Sequence, residues 1–324
     1  MPELPEVEVL VRHLAPLLRN KIVRRVEVRR DKVLQPTLTR TFKRQLLGAQ
    51  FNNLRRRGKY LLFDLRAADS KIQPSESHTY LGKKPNRPHL AKRHPLHQWG
   101  RGQGEGVAGE KAIFTLVGHL GLTGRMYLVP SSAALPKHAA VVLNLGDENF
   151  VFEDTRYFGR LTLDERPIEK LGPEPLEKDF TIERFRDALK RSSQAIKIRL
   201  LDQRLVAGIG NIYASEALFR AGISPRVAAR RLNTKQIVRL WRGIRDVLAE
   251  AIECGSTVTL NYAGSEKRDG LFYFGRAAGA PDYYEERLRV YDRAQKPCPD
   301  CGTAIKRLIQ AARSTFYCPR CQRS

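Results

Sequence analysis

Apolar residues recur along this chain with two different periods, and the change from one to the other divides it. At the start, Val7, Leu10, Val11 and Leu14 fall at i, i+3, i+4 and i+7, the stripe of an amphipathic helix. Short β-type runs follow at Val23 to Val28 and Tyr60 to Leu65, then at 112–118, 125–129, 139–145, 150–154 and 160–163. Runs of this length, punctuated by glycines, predict a β-sandwich and not a parallel sheet. Arg55-Arg56-Arg57-Gly58-Lys59 reads as a basic turn between strands. In Leu171-Gly172-Pro173-Glu174-Pro175-Leu176 two prolines block a continuous helix, which marks a linker. The helical period then takes over at 181–191, 193–204 and 211–221. The longest helix begins near Asn233 or Thr234, carries the stripe Ile237, Leu240, Trp241, Ile244, Val247 and Leu248, and stops at Gly255.

The expectation is an α+β protein. An N-terminal β-sandwich with a docked first helix spans 1–165, a linker 166–180, a helical domain 181–286 and a small hairpin unit 287–324. Two stretches carry no period. Residues 67–111 hold several prolines, a glycine-rich run and four of the seven histidines, and read as a flexible insertion. His94 and His97 have no carboxylate or cysteine partner nearby and are not read as a metal pair. The Gly-, Tyr- and Phe-rich residues 261–286 suit a mobile loop.

Charge narrows the partner. Against 34 Asp and Glu stand 58 Lys and Arg, a formal +24 over 324 residues. That excess points to a polyanion, with nucleic acid favoured over membrane because no run approaches the 18 or so apolar residues of a spanning helix. The acidic start lacks a signal-peptide core, so an intracellular protein is expected. The insertion adds 8 Lys/Arg against 4 Asp/Glu, which suits an arm contacting the polyanion or an inert loop.

Four of the five cysteines fall in the tail, as Cys298-x2-Cys301 and Cys318-x2-Cys321. Each pair forms a knuckle that aims two thiolates at one point, and two knuckles complete a tetrahedral, closed and therefore structural zinc site. Disulfides or redox pairs are the alternative. Residues 287–324 carry 9 Lys/Arg and 2 Asp/Glu, so the hairpin reads as a phosphate clamp with Arg313 its obvious probe. Cys254, at a helix end, reads as a core thiol.

The first eight residues, Met1-Pro2-Glu3-Leu4-Pro5-Glu6-Val7-Glu8, are unusual for a chain end. Pro5 suits a first helical turn, and Glu6 and Glu8 favour its positive end. If Met1 is removed, Pro2 becomes an N-terminal secondary amine. Its condensation with a sugar aldehyde gives a permanently cationic iminium, an electron sink for elimination. Glu3 stands beside it as a proton donor or acceptor. A capped helix start with Met1 retained is the plainer reading of the same residues.

Two further segments carry chemistry. In Ala207-Gly208-Ile209-Gly210-Asn211-Ile212, glycines allow close backbone approach, and Asn211 opens a helix whose free N–H groups suit a phosphate. In Asp154-Thr155-Arg156-Tyr157-Phe158-Gly159, Arg156 and Phe158 project together and could enter a duplex. An enzyme that flips a base from the stack must fill the hole it leaves.

The opening Pro-Glu-Leu-Pro-Glu-Val-Glu resembles the start of formamidopyrimidine-DNA glycosylases. The order of the later motifs is similar too, with residues 67–111 and part of 261–286 outside the likeness. The resemblance implies Pro2 as nucleophile, Glu3 as acid/base partner and Lys59 as the phosphate contact near the reacting sugar. It also implies that Lys197 and Asn211 bind DNA from a helix–two-turns–helix module, and that a lid falls near 261–286. In the family a methionine from a Gly-Met-Thr/Ser-Gly turn joins the wedge pair; Leu122 of Gly121-Leu122-Thr123-Gly124 stands there instead. Thr155 and Tyr157 depart from the commoner Asp-Pro-Arg-Arg-Phe-Gly.

The implied function is excision of oxidised purines, such as 8-oxoguanine and formamidopyrimidines, from damaged double-stranded DNA, with nicking by β,δ-elimination. One structural zinc, no small-molecule cofactor, a monomer, and a bacterial, nucleoid-associated cytoplasmic setting complete it. The rivals are an endonuclease VIII-like preference for oxidised pyrimidines and a zinc-ribbon DNA-binding protein without catalysis. Cleavage of abasic DNA separates the last from the others.

Overall fold

The computed structural model describes residues 2–68, 112–255 and 287–323. Nearly all of the expected insertion and the whole 261–286 loop lie outside the described residues.

The first helix, α1 (Leu4–Leu18), sets the geometry of everything that follows. Glu3 caps it, donating its N–H to Glu6 Oε2 at 2.7 Å, and Pro5 occupies the first turn. Val7, Leu10, Leu14 and Leu18 are buried in the sandwich core, each contributing about 1.5–3 kcal/mol of burial. Leu4 is buried in a different core, among Phe180, Ile209 and Tyr213 of the helical half. One turn of one helix thus joins both halves, and Pro2 and Glu3 sit at the junction.

Seven residues after α1, β1 (Arg25–Val28) begins the sandwich, followed by α2 (Thr39–Leu46), β2 (Gln50–Arg57) and β3 (Tyr60–Arg66). Then come β4 (Ile113–His119), β5 (Arg125–Pro130), β6 (Ala139–Asn144), β7 (Glu148–Glu153) and β8 (Arg160–Thr162). They form two antiparallel four-stranded sheets, ordered β1-β6-β7-β5 and β2-β3-β4-β8. The sheets meet through Phe51, Phe63 and Phe150, with the Phe63 and Phe150 rings 5.5 Å apart edge to face. The strand expectations agree closely with these spans. The exception is the basic turn: Arg55 to Arg57 belong to β2, and only Gly58 (φ +56°) and Lys59 make the turn. β3 and β4 pair antiparallel as far as Arg66↔Ile113, and Ala67 donates to Ala112 O at 2.9 Å. The expected insertion therefore leaves and re-enters the sheet at adjacent points.

After the short α3 (Arg166–Glu169), the helical half contains α4 (Ile182–Lys190), α5 (Ile196–Leu200), α6 (Asn211–Arg220) and α7 (Thr234–Glu253). Asn233 caps α7 through a reciprocal pair with Gln236. The helix expected over 193–204 covers only α5. Gln203 ends it by donating to Leu201 O and Ile209 O while accepting from Gly208 N–H, which folds 201–209 into turns. Cys254 is buried in this core.

The tail forms a hairpin, β9 (Lys306–Gln310) with β10 (Arg313–Tyr317). Its two-residue loop is Ala311-Ala312, and both residues have positive φ, +46° and +57°. A third core, with Phe219, Val290, Ile305 and Phe316, packs the hairpin on α6.

Candidate active site

The Glu3 carboxylate, 2% exposed, lies across the start of α6. It accepts from Gly210 N–H at 2.6 Å, Ile212 N–H at 2.9 Å and Tyr213 N–H at 3.4 Å. The free N–H groups expected to hold a phosphate thus hold a carboxylate of the same chain. The glycines serve this approach: a Cβ on Gly210 would lie 2.2 Å from Glu3 Cδ, and one on Gly208 would meet the Leu4 side chain. Burial raises the Glu3 pKa, while the charge of Lys59 and the N–H donors oppose the rise. Glu6 is also buried and accepts from the Tyr213 hydroxyl at 2.6 Å. Pro2 is buried immediately ahead of this pair.

Lys59, 6% exposed, faces the same place from the β2–β3 turn. Burial lowers its pKa, Glu3 opposes that, and the charge of Arg313 adds to it. The turn is anchored by Glu174 of the linker, which accepts from Arg56 at 2.5 Å, Arg57 at 2.9 Å and Gly58 N–H at 2.6 Å. In the sequence Glu174 carries only a linker signal. His119, at the end of β4, has no motif signal in the sequence. Its Nδ1 accepts from Gly121 N–H at 3.1 Å, and burial, Lys59 and Arg160 together push its pKa down to about 4. A neutral imidazole thus holds the start of the Gly121–Gly124 turn within the field of Lys59.

Lys197 is fully buried, and its ammonium donates to Asn211 Oδ1 at 2.7 Å, Thr315 Oγ1 at 2.8 Å and Ser314 O at 3.1 Å. Asn211 also donates to Ser314 O, at 2.9 Å. Both side chains hold β10, and so place the exposed Arg313 within electrostatic reach of Lys59 and Lys197. From the middle of α6, buried Glu216 accepts from the N–H groups of Arg289, Val290 and Tyr291, a second latch on the same unit.

Leu122 and Phe158, 38% and 58% exposed, stand on two loops that touch. Buried Asp154 ties them, accepting from Thr123 Oγ1 at 2.6 Å, Arg156 N–H at 3.1 Å and Gly159 N–H at 2.8 Å. Gly121 (φ +61°) lies so close that a Cβ would meet Gly159 N at 2.6 Å. The sandwich therefore presents Leu122, Arg156 and Phe158 as one group.

The sulfurs of Cys298, Cys301, Cys318 and Cys321 all lie within 4.8 Å of one another. Those of Cys298 and Cys321 are 3.9 Å apart and those of Cys301 and Cys318 3.5 Å, far beyond a disulfide bond. Four thiolates at about 2.3 Å from a tetrahedral ion would stand roughly 3.8 Å apart, so the set fits one structural zinc and the disulfide alternative falls.

Residues 1–161 match the family model for the formamidopyrimidine-DNA glycosylase N-terminal domain, and residues 171–262 that for the formamidopyrimidine-DNA glycosylase H2TH domain. The tail, residues 295–323, matches a zinc finger found in FPG and IleRS. The chain belongs to the formamidopyrimidine-DNA glycosylase family. It is 34% identical to the formamidopyrimidine-DNA glycosylase of Carboxydothermus hydrogenoformans and 33% to that of Bacillus licheniformis, each alignment covering 100% of both chains. Its structure is similar to the MutM (FPG) protein of Thermus thermophilus, with a TM-score of 0.72, 34% identity and 99% and 98% of the chains covered. A complex of Lactococcus lactis Fpg with DNA containing an abasic site gives 0.76 at 27% identity, covering 99% and 100%. As a formamidopyrimidine-DNA glycosylase the protein is a base-excision-repair enzyme, a DNA glycosylase with AP-lyase activity. Among the described residues, no helix is long and apolar enough to cross a membrane.

Proposed function

We propose that the protein excises oxidised purines from duplex DNA through an amine–carboxylate pair, Pro2 and Glu3, and then cleaves the strand. With Met1 removed, the Pro2 nitrogen attacks C1′ of the damaged nucleotide. The bond from C1′ to the base breaks, the base leaves with the electron pair, and it takes up in net the proton that the Pro2 nitrogen gives up. Opening of the C1′–O4′ bond gives the iminium, with O4′ taking a proton from Glu3. Loss of a C2′ proton expels the 3′-phosphate, and a second elimination expels the 5′-phosphate. The carrying observation is the Glu3 carboxylate, buried beside Pro2 and held by Gly210, Ile212 and Tyr213. Burial raises its pKa, which favours the protonated form that donates.

Lys59 is the cation for the phosphate next to the reacting sugar. Arg313 meets the backbone from the hairpin, while Lys197 and Asn211 set where that hairpin stands. Phe158 and Leu122 fill the gap left by the flipped base, and Arg156 meets the orphaned partner. The zinc holds the hairpin's fold and takes no part in bond breaking. The chemistry calls on no small-molecule cofactor, and the reading is of a monomer acting on bacterial nucleoid DNA. The purine reading rests on Leu4 in the opening motif together with the Arg156/Phe158 pair.

Borohydride trapping tests this on duplexes carrying 8-oxoguanine or an oxidised pyrimidine. The expected result is faster trapping on the purine lesion, with the linked peptide beginning at Pro2. An adduct on Lys59 or another lysine would overturn the nucleophile, and a preference for the pyrimidine would overturn the substrate.

A further inference from the structure

Tyr157 has φ +55°, a left-handed conformation that costs a bulky residue about 1 kcal/mol or more. Asp154 enforces it by holding the N–H groups of Arg156 and Gly159 on either side. The consequence is a reversal of direction. Arg156 and Phe158 face solvent, while the ring of Tyr157 folds back against the sandwich core.

There it meets cations. The Arg30 guanidinium carbon lies 5.3 Å from the ring centroid, and Arg30 Nε is 3.4 Å from the Tyr157 hydroxyl. His138 Nδ1 lies 3.5 Å from the same hydroxyl, and Arg160 donates to the backbone carbonyls of Tyr157 and Gly159. Arg30 is exposed and, among the described residues, forms no ion pair, whereas neighbouring Arg29 is held by Glu27 at 2.6 Å. An arginine resting on a rigid ring keeps its outward donors free and has less side-chain entropy left to lose on binding.

We propose that Arg30, mounted on Tyr157, grips a backbone phosphate of the duplex beside the wedge, and that Tyr157 is its positioning residue. The inference rests on the reading that the Asp154–Gly159 loop meets DNA. It also gives the departure at position 157 a physical meaning. In the commoner form of the motif that position is arginine; here the guanidinium comes from Arg30 in another element, with an aromatic support where the arginine would be.

Binding of a duplex carrying a reduced abasic site, titrated with KCl, tests this. Each phosphate neutralised contributes about 0.9 to the slope of log affinity against log salt, so R30A should lower the slope by about 0.9 and weaken binding about fivefold near 0.15 M. R30K should keep the slope, because the charge remains. R30A/Y157R should regain it, since a guanidinium returns to the same place by the other route. F158A reports separately on the loop: if F158A alters neither binding nor base excision, the loop reading itself fails. If F158A is impaired while R30A keeps the wild-type slope, or R30A/Y157R does not recover it, the Arg30 inference is overturned and the loop reading stands.

Discussion

Glu3 and Gly210 are hydrogen-bonded at 2.6 Å although 207 positions separate them, and the contact leaves no room for a side chain at 210. The carboxylate proposed as acid/base partner is therefore aimed by the other half of the molecule. Gly210→Ala should displace the carboxylate from the end of α6. Single-turnover strand cleavage should fall about a hundredfold or more, the low end of what a positioned acid or base supplies. Zinc content should stay at one per chain, which separates loss of aim from loss of fold.

His119 makes stability pH-dependent. Its folded pKa of about 4 lies below the ordinary 6.5, because of burial first and then Lys59 and Arg160. Below pH 6.5 the unfolded chain takes up a proton that the folded chain refuses until about pH 4. Stability present above 6.5 is thus lost progressively between 6.5 and 4. His119→Gln should flatten this loss by about 2 kcal/mol between pH 7 and 4.5, read by urea unfolding at both pH values. Equal pH dependence in the two proteins would contradict it.

Lys197 separates a latch from a phosphate contact. Among the described residues its ammonium bonds only Asn211, Ser314 and Thr315, and it is fully buried with a pKa lowered to about 8, chiefly by burial. Lys197→Met should loosen the hairpin by about 2–3 kcal/mol, since buried acceptors lose their donor. DNA affinity should fall with the salt slope unchanged. A slope lower by about one unit would instead make Lys197 a direct phosphate contact.

The hairpin tip is built against its own preference. Ala311 and Ala312 both occupy the left-handed region in a two-residue loop, where Asn-Gly is the favoured pair. Ala311→Asn with Ala312→Gly should stabilise the hairpin by about 1–2 kcal/mol. Slower zinc loss to a chelator checks this, and faster loss would show that the alanines are not strained.

Elements with a strong local period were legible in the sequence. The stripe of α7 and its Asn233 cap, and strands β4 to β8, needed only nearby residues. α2 was not, because only Phe42 and Leu46 of its side chains are buried. The helix read over 193–204 failed because Gln203 competes for backbone groups through a side chain that carries no periodic signal. The site divides similarly. The cysteine knuckles declare their chemistry by type and spacing, whereas Pro2 and Glu3 take theirs from the family resemblance, since the same residues also read as a plain helix cap. What they touch is set by tertiary contact: Glu174 beside Gly58, Lys197 beneath Ser314 and Arg30 over Tyr157 join segments with no common pattern.

The pairing of Arg66 with Ile113, closed by Ala67 donating to Ala112, makes the β3–β4 connection a socket. The cost of closing a loop between such feet grows only with the logarithm of its length, by about 0.6 kcal/mol per doubling. A reporter domain whose own termini lie side by side could replace residues 69–111 without asking either sheet to move. By the same rule, a change in the number of residues between Ala67 and Ala112 asks little of the pairing that Arg66 and Ile113 close.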